Sequence, residues 1–411
     1  MNYAHTEFAG FAGNRIQLGV TGSVSAFRAV DIMRRLQRAD VQVGVTLTAA
    51  AQEFIRPLQF RALTSGPVYE GLFDANQADF AHLEPAQNAD VFLVAPSTAN
   101  ILAKHAQGIG DDLLSSQLFS FRGPVVHAPA MNPRIWSSSA VQANIELLTS
   151  RGTILVPPET GLMACGEVGE GRLADVEEIF LMTLRSLVPN DLQGKRMLIN
   201  LGPTQEFWDP VRILTNSSSG VMGASIALAA WLHGAEVTVV HGPTPHLWLP
   251  RFLSTVPVTS ALQMHQACID LASSADIICL TAAVSDYRPQ ELLPIKAKKQ
   301  TLGATLMLPL EQNPDILADI GARRGSSQYL IGFAAETSDP EVHAQHKLHA
   351  KNLDLVIANS VISPGSGFGS STNQVSLFSA CGRTENWPLL SKPEVAFRIM
   401  EWICDSPSYT S

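Results

Sequence analysis

Ile16-Gln-Leu-Gly-Val-Thr-Gly-Ser-Val-Ser-Ala26 reads as a buried strand that passes through a tight turn into a helix. The run up to Thr21 is apolar and β-rich, Gly22 lets the backbone turn, and helix-forming Phe27–Gln37 follows. Ser23, Ser25 and the helix N-terminus place hydroxyl and N–H groups where a phosphate could be held. The same residues also serve as ordinary strand-to-helix punctuation. Neither a G-x-G-x-x-G fingerprint nor a G-x-x-x-x-G-K-[ST] loop accompanies them. The unit recurs along the chain. Strand-length runs at Val41–Leu47, Val91–Ala95, Val125–Ala128 and Thr153–Val156 alternate with helical segments at Ala99–Ala106, Ala140–Ser150 and Val176–Leu187. That alternation argues an α/β fold with a mostly parallel sheet flanked by helices.

Val188-Pro-Asn-Asp-Leu-Gln-Gly-Lys195 interrupts the pattern, and a new strand, Arg196–Leu201, restarts it. Two Rossmann-like domains are therefore expected, 1–189 and 190–411. In the second, helices are predicted at Gly220–His233 and Ala261–Ser273. Strands are predicted at Glu236–Val240, Asp276–Thr281, Tyr329–Phe333 and Leu355–Ala358. The stretch from Val284 to Leu310 is less regular and reads as a loop or hairpin over a site; it carries Lys296, Lys298 and Lys299. The two halves share this architecture without a residue-level repeat.

Composition narrows the partners. The chain has 411 residues, with 28 Lys and Arg against 37 Asp and Glu, a net charge of −9. An acidic chain with no basic run is a poor nucleic-acid binder. The five cysteines are odd in number and widely spaced, which speaks against a disulfide framework or zinc ribbon and for a reducing compartment. The longest apolar stretch, Val221–Leu232, is too short to span a bilayer, and Met1–Gly13 has no signal-peptide pattern. A cytoplasmic protein without membrane contact is expected.

Several motifs carry chemistry. Ala95-Pro-Ser-Thr-Ala-Asn100 ends a strand and opens a helix, so Ser97 or Thr98 could cap that helix or face a shared mononucleotide. His82 precedes a strand; taken alone it reads as a structural hydrogen-bonder. Asn132 follows a buried strand in Pro129-Ala-Met-Asn132, and Cys165 lies in glycine-rich Ala164-Cys-Gly-Glu-Val-Gly-Glu-Gly-Arg-Leu173, which reads as a mobile loop. In the second half, Asn216-Ser-Ser-Ser-Gly220 is a polar turn at a helix start, suited to phosphate or carboxylate or simply to capping. Thr281-Ala-Ala-Val-Ser-Asp286 and Gly332-Phe-Ala-Ala-Glu-Thr337 end strands, and Lys347 and Lys351 share a helical face. His343, His346 and His349 recur every third residue, which fans them around a helix, so they make a poor metal site.

GSVSA, APSTAN, PAMN and ACGEVGEGRL, in this order, resemble the flavin-dependent cysteine decarboxylases, in the phosphopantothenoylcysteine decarboxylase branch. The resemblance covers about residues 15–187. It implies FMN, with Ser23, Thr48, Ser97 and Thr98 as contacts. His82 would be the active-site His, Asn132 the holder of the substrate carboxylate, and Cys165 the proton donor. The chemistry suits these residues, because a cysteine carboxylate leaves readily only after flavin oxidation of the thiol creates an electron sink.

From about 190 to 405, GPTQE, DPVR, SSG, AAVSDY, NPDI, GFAAET and KNLDLVIAN resemble the CTP-using phosphopantothenate–cysteine ligases. The whole chain thus resembles the bifunctional coenzyme A biosynthesis family. That family would ligate 4′-phosphopantothenate with L-cysteine through an acyl-cytidylate, then decarboxylate the product to 4′-phosphopantetheine. The resemblance implies a CTP site at Ala282, Asp286, Lys296, Pro314, Asp315, Ile316, Phe333, Lys347 and Lys351. Asn216 would handle the acyl-cytidylate, and Mg²⁺ would accompany CTP. It also implies a homo-oligomer with trimeric decarboxylase and dimeric ligase contacts. Two positions depart from the family: Val221 and Gln312 stand where it usually has lysine. Each loses a positive charge near phosphates, so an active decarboxylase with a degenerate, binding-only ligase half is the alternative.

Overall fold

The computed structural model of the chain describes residues 3–73, 80–164, 166–298, 305–336, 340–360, 365, 367 and 369–406. It divides into two compact units, residues 9–189 and residues 190–411 with the segment up to Phe8.

The first unit is built on six parallel strands: β1 (Arg15–Val20), β2 (Gln42–Leu47), β3 (Val68–Tyr69), β4 (Val91–Ser97), β5 (Val125–Pro129) and β6 (Ile154–Leu155). Their order in the sheet is β3-β2-β1-β4-β5-β6. The chain leaves β1 for one side of the sheet and crosses to the other at β4, so a crevice opens between the C-terminal ends of β1 and β4. Nearly every β1, β2 and β4 side chain is buried, as sheet faces covered by helices require. Helices Arg28–Gln37 and Val176–Arg185 are tied by a buried ion pair, Arg35 Nη2 to Glu177 Oε1 at 2.7 Å, with the guanidinium 3.6 Å above the Phe180 ring.

The glycine-rich segment expected to be a loop is an antiparallel hairpin, β7 (Glu159–Leu162) and β8 (Val168–Arg172). Gly171 is the reason it sits where it does. Its φ is +138°, and an added Cβ would lie 2.3 Å from the Met131 carbonyl oxygen. Only glycine lets that backbone come so close. Cys165 lies outside the described residues.

The second unit repeats the plan with β9 (Arg196–Leu201), β10 (Gln205–Phe207), β11 (Ile213–Thr215), β12 (Glu236–His241), β13 (Ser254–Pro257) and β14 (Ile277–Leu280). It continues with β15 (Tyr287–Pro289), β16 (Leu310–Gln312), β17 (Tyr329–Glu336), β18 (Leu355–Ser360), β19 (Thr372–Asn373), β20 (Val375–Ser379), β21 (Thr384–Asn386) and β22 (Leu390–Ser391). An eight-stranded sheet has the order β13-β12-β9-β14-β17-β18-β20-β21, parallel up to β18 with β20 and β21 antiparallel at one edge. Its switch point lies between β9 and β14. Helix Val221–Leu232 follows β9 and is apolar all round, and it is buried from Gly223 onward. The irregular Val284–Leu310 region closes as a hairpin, β15 against β16; Lys299 lies outside the described residues. Among the described residues no helix is long and apolar enough to cross a membrane.

Candidate functional site

In the first unit, residues named from the sequence converge on one sheet edge. Ser23 follows β1 and accepts from Ser25 N–H at 3.3 Å, while Thr48 follows β2 and accepts from Ala51 N–H at 3.2 Å. Thr98 follows β4 and makes no side-chain cap bond. The turns after β1 and β4 are locked together by Thr21, whose hydroxyl donates to the Pro96 carbonyl at 2.7 Å and accepts from Thr98 N–H at 3.1 Å. Ser97 differs from its expected role as a cap or edge hydroxyl. The strand runs two residues further than predicted, so Ser97 is inside it, fully buried, with its hydroxyl 2.8 Å from His127 Nδ1.

His127 was invisible to motif reading because it sits mid-strand in an apolar run. Its Nε2 lies 3.0 Å from His105 Nδ1, giving a chain Ser97–His127–His105 beneath the edge. Burial, helped by the neighbouring His105, pushes the His127 imidazole down to about 3. The folded ring is therefore neutral at pH 7, as is the unfolded one. Below the ordinary value near 6.5, the unfolded chain takes up a proton that the folded site refuses, so stability is lost as the pH falls toward 3. Denaturant melts of the wild type between pH 7 and 4 are expected to show this loss, and His127→Gln is expected to flatten that part of the profile. An unchanged slope in the variant would refute the assignment.

Asn132 caps helix Pro133–Trp136, its Oδ1 accepting from Arg134 N–H at 2.8 Å. Its Nδ2 donates to Glu167 Oε2 at 3.0 Å, and Arg134 Nη2 lies 2.5 Å from Glu167 Oε1. The Asn132 amide and Arg134 thus already hold a carboxylate, supplied here by the hairpin. His82 is half-buried, with its carbonyl accepting from the Ser120 hydroxyl at 2.8 Å and its ring 6.4 Å from that of exposed Phe80.

In the second unit, a cavity of about 160 Å³ at the β9/β14 switch point brings together Ser218, Ser219, Val221, Ala282, Phe333 and Lys392, among others. Buried Asn200 shapes it: its Oδ1 accepts from Thr281 N–H at 2.8 Å and Ala282 N–H at 2.9 Å. Asn216 is fixed by its amide, which donates to the Ala283 and Val284 carbonyls at 3.1 Å each.

Several other residues expected at a nucleotide site lie on or beside the β15–β16 hairpin. Asn313 N–H donates to the Asp286 carbonyl at 2.8 Å, and Pro314 leads into helix Ile316–Arg323, whose first residue is buried. Asp315 caps that helix through Ala318 N–H and pairs with Lys351 Nζ at 2.6 Å. Burial would raise the Asp315 carboxyl, but the Lys351 ammonium and Ala318 N–H bring it below its ordinary value. Helix Pro340–Ala350 carries Lys347 and ends one residue before Lys351. The two lysines stay one turn apart because Lys351 N–H still donates to the Lys347 carbonyl at 3.0 Å. Beside Gln312, Arg288 Nη1 donates to the Gln312 carbonyl at 2.9 Å, and its Nη2 pairs with Glu311 Oε1 at 2.8 Å.

Lys296 is exposed, and its segment is pinned by a residue the sequence reading quoted only as part of a motif. Asp209 is fully buried; its Oδ1 accepts from Val211 and Arg212 N–H at 2.7 and 2.8 Å, and its Oδ2 from Ala297 N–H at 3.2 Å. Arg212 Nη1 reaches Asp209 Oδ2 at 2.6 Å and the Ala297 carbonyl at 2.9 Å. Burial would raise the Asp209 carboxyl, but these N–H groups and the guanidinium hold it at about 2. The DPVR turn therefore grips the residue next to Lys296.

Among the described residues, one group of possible metal ligands gathers: Asp191, His233 and Cys404, with donor atoms within 4.8 Å of one another. Burial and nearby carboxylates push the Cys404 thiol up to about 11, so it is protonated at neutral pH. The three regularly spaced histidines are not part of it.

Residues 11–187 match the Flavoprotein family model, and residues 192–406 match that of the DNA/pantothenate metabolism flavoprotein C-terminal domain. The coenzyme A biosynthesis bifunctional protein CoaBC of Vibrio cholerae is 42% identical over 393 residues, 95% of this chain and 98% of its own. The protein of the same name from Escherichia coli K12 is 41% identical over 370 residues, 89% and 91% of the two chains. A crystal structure of a CoaBC C-terminal domain shares 41% identity, covering 52% of this chain and 96% of its own, with a TM-score of 0.45. Identity of this order over nearly the whole length, with both units matched, means that the chain belongs to the family of bifunctional coenzyme A biosynthesis proteins.

Proposed function

We propose that the second unit joins 4′-phosphopantothenate to L-cysteine with CTP, and that the first decarboxylates 4′-phosphopantothenoylcysteine to 4′-phosphopantetheine. The observation that carries this reading is a pair of doubly wound sheets in one chain, each with its motif residues at the switch-point edge.

The first edge suits FMN by its donor chemistry. Ser23, Thr48 and Thr98 offer neutral hydroxyls at helix starts, with no carboxylate among them to repel a phosphate monoester. FMN held by these groups would supply reversible two-electron oxidation of the thiol-bearing carbon. Asn132 and Arg134 would orient the substrate carboxylate, displacing the Glu167 carboxylate from the same donors. His82 would stand beside the reacting cysteine, and Cys165 would return a proton to carbon after carbon dioxide leaves.

In the second unit the substrate carboxylate would attack the α-phosphate of CTP and release pyrophosphate. The amine of cysteine would then attack the acyl-cytidylate and release CMP. Lys296 would offset charge on the transferring phosphate, Phe333 and Ala282 would contact the nucleotide, and Asn216 would orient the acyl group. Asp315, Lys347 and Lys351 would face the nucleotide from beside the hairpin, and Mg²⁺ near Asp286 would share the triphosphate charge. Homo-oligomer formation would cover exposed apolar groups such as Phe73, and Phe80 beside His82.

Purified protein is expected to be yellow, to release FMN on denaturation, and to form pyrophosphate and carbon dioxide in succession from phosphopantothenate, cysteine and CTP. A colourless protein that takes up no FMN would sink the first half of the reading. Val221 and Gln312 keep the alternative in play: decarboxylation of added phosphopantothenoylcysteine without any CTP turnover would favour a binding-only second unit.

A further inference from the structure

We infer that Lys392 is the cation of the ligase cavity and grips a phosphate group of a substrate there, supplying from the last helix the charge that Val221 does not. The inference rests on the proposed ligase reaction.

Lys392 opens the helix Lys392–Cys404, far in sequence from the motifs of the nucleotide site, and only 4% of it is exposed. Its ammonium donates to the Gly367 carbonyl at 3.4 Å, the long limit of a hydrogen bond. An ammonium has three donors, and burying one with a single long neutral acceptor among the described residues is costly. Burial accordingly pushes its pKa down. An anion is the ligand that stabilises such a group.

The walls of that cavity fit an anion. Ser218 and Ser219 lead into Val221–Leu232, a helix of 12 residues whose N-cap is Gly220, with no side-chain cap and no acidic residue in its first turn. The partial positive charge of that N-terminus therefore faces the same space as the ammonium. Among the described residues no carboxylate lines the cavity, and Lys392 is the only charged one that does. Asn373 holds the Gly367 backbone, its Oδ1 accepting from Gly367 N–H at 3.3 Å. Val221, the first residue of the neighbouring helix, lines the same cavity. A lysine at position 221 could therefore place its ammonium in the space that Lys392 lines, which the double variant below tests.

Two substrates bear phosphate, the nucleotide and phosphopantothenate. The test uses full-length protein and compares wild type, Lys392→Met, Val221→Lys and the double variant. For Lys392→Met the expected result is a tenfold or larger rise in KM for one phosphorylated substrate. A rise for CTP assigns the triphosphate, and a rise for phosphopantothenate assigns its monoester. The thermal midpoint of the second unit should stay level or rise, because a buried charge has become an apolar chain of similar length. Decarboxylation of added phosphopantothenoylcysteine should not change. The double variant should recover at least part of the lost affinity. Unchanged KM values for both substrates, or a fall in the thermal midpoint as the only effect, would overturn the inference. A direct arm separates this from failure of the ligase reading: binding of inorganic pyrophosphate by calorimetry. If the wild type turns over no CTP but binds pyrophosphate, and Lys392→Met loses that binding tenfold, the reaction is wrong and the anion site stands. If it neither turns over CTP nor binds pyrophosphate, both fall.

Discussion

Lys296→Gln is expected to lower CTP-dependent pyrophosphate release by roughly 10²–10³-fold while leaving decarboxylation of added phosphopantothenoylcysteine at the wild-type rate. Charge builds on the α-phosphate as its bond to pyrophosphate breaks, and an ammonium placed there counts most in the transition state. Glutamine keeps much of the length and loses the charge. The loss should therefore fall mainly on kcat. Lys296 is exposed, so its own packing fixes nothing; its position comes from Asp209 and Arg212 gripping Ala297. Asp209→Asn keeps the volume but replaces a charged acceptor with an amide that must turn a donor toward one of these N–H groups. It should reproduce part of the Lys296→Gln defect and also melt earlier, whereas Lys296→Gln should melt as wild type. Full pyrophosphate release by Lys296→Gln, measured in single-turnover experiments, would remove Lys296 from the mechanism.

That contrast marks where sequence reading succeeds. Ile16–Thr21, Val41–Leu47 and Arg196–Leu201 were legible as strands because parallel strands covered on both faces are continuous apolar runs. The switch-point edges followed, since GSVSA, APSTAN and AAVSD each stood at the end of such a run. What stayed hidden was held by long-range contacts. Asp209 reads as an ordinary turn aspartate until Ala297, 88 residues later, donates to it. Lys392 reads as a solvated lysine at a helix start until the cavity encloses it. His127 is one more residue in an apolar strand until Ser97 and His105 appear on either side. The Glu159–Arg172 hairpin was missed for a local reason. Glycines at 161, 166, 169 and 171 mask strand propensity, and the pairing is set instead by Gly171 docking at Met131.

That docking bears on the second large effect. Cys165→Ser is expected to cut phosphopantetheine formation by roughly 10²–10⁴-fold while carbon dioxide is still released, leaving the oxidised enethiol as product. The carbon–carbon bond breaks before the proton is needed, and a serine hydroxyl is far too weak an acid to replace a thiol. The position of the donor should depend on the hairpin that bears it. Met131 N–H donates to the Gly171 carbonyl at 2.9 Å, and Glu167 bonds the Asn132 amide. Gly171→Ala would drive its new Cβ into the Met131 carbonyl at a backbone angle alanine avoids, pushing β8 off the Asn132 turn. Its defect should differ in kind. Carbon dioxide and phosphopantetheine should fall together, because both the carboxylate clamp and the hairpin are displaced, and ligation should be unaffected. Normal phosphopantetheine formation by Cys165→Ser would refute the proton-donor role. A Gly171→Ala protein that releases carbon dioxide normally would show that the hairpin can leave Asn132 without cost to the earlier step.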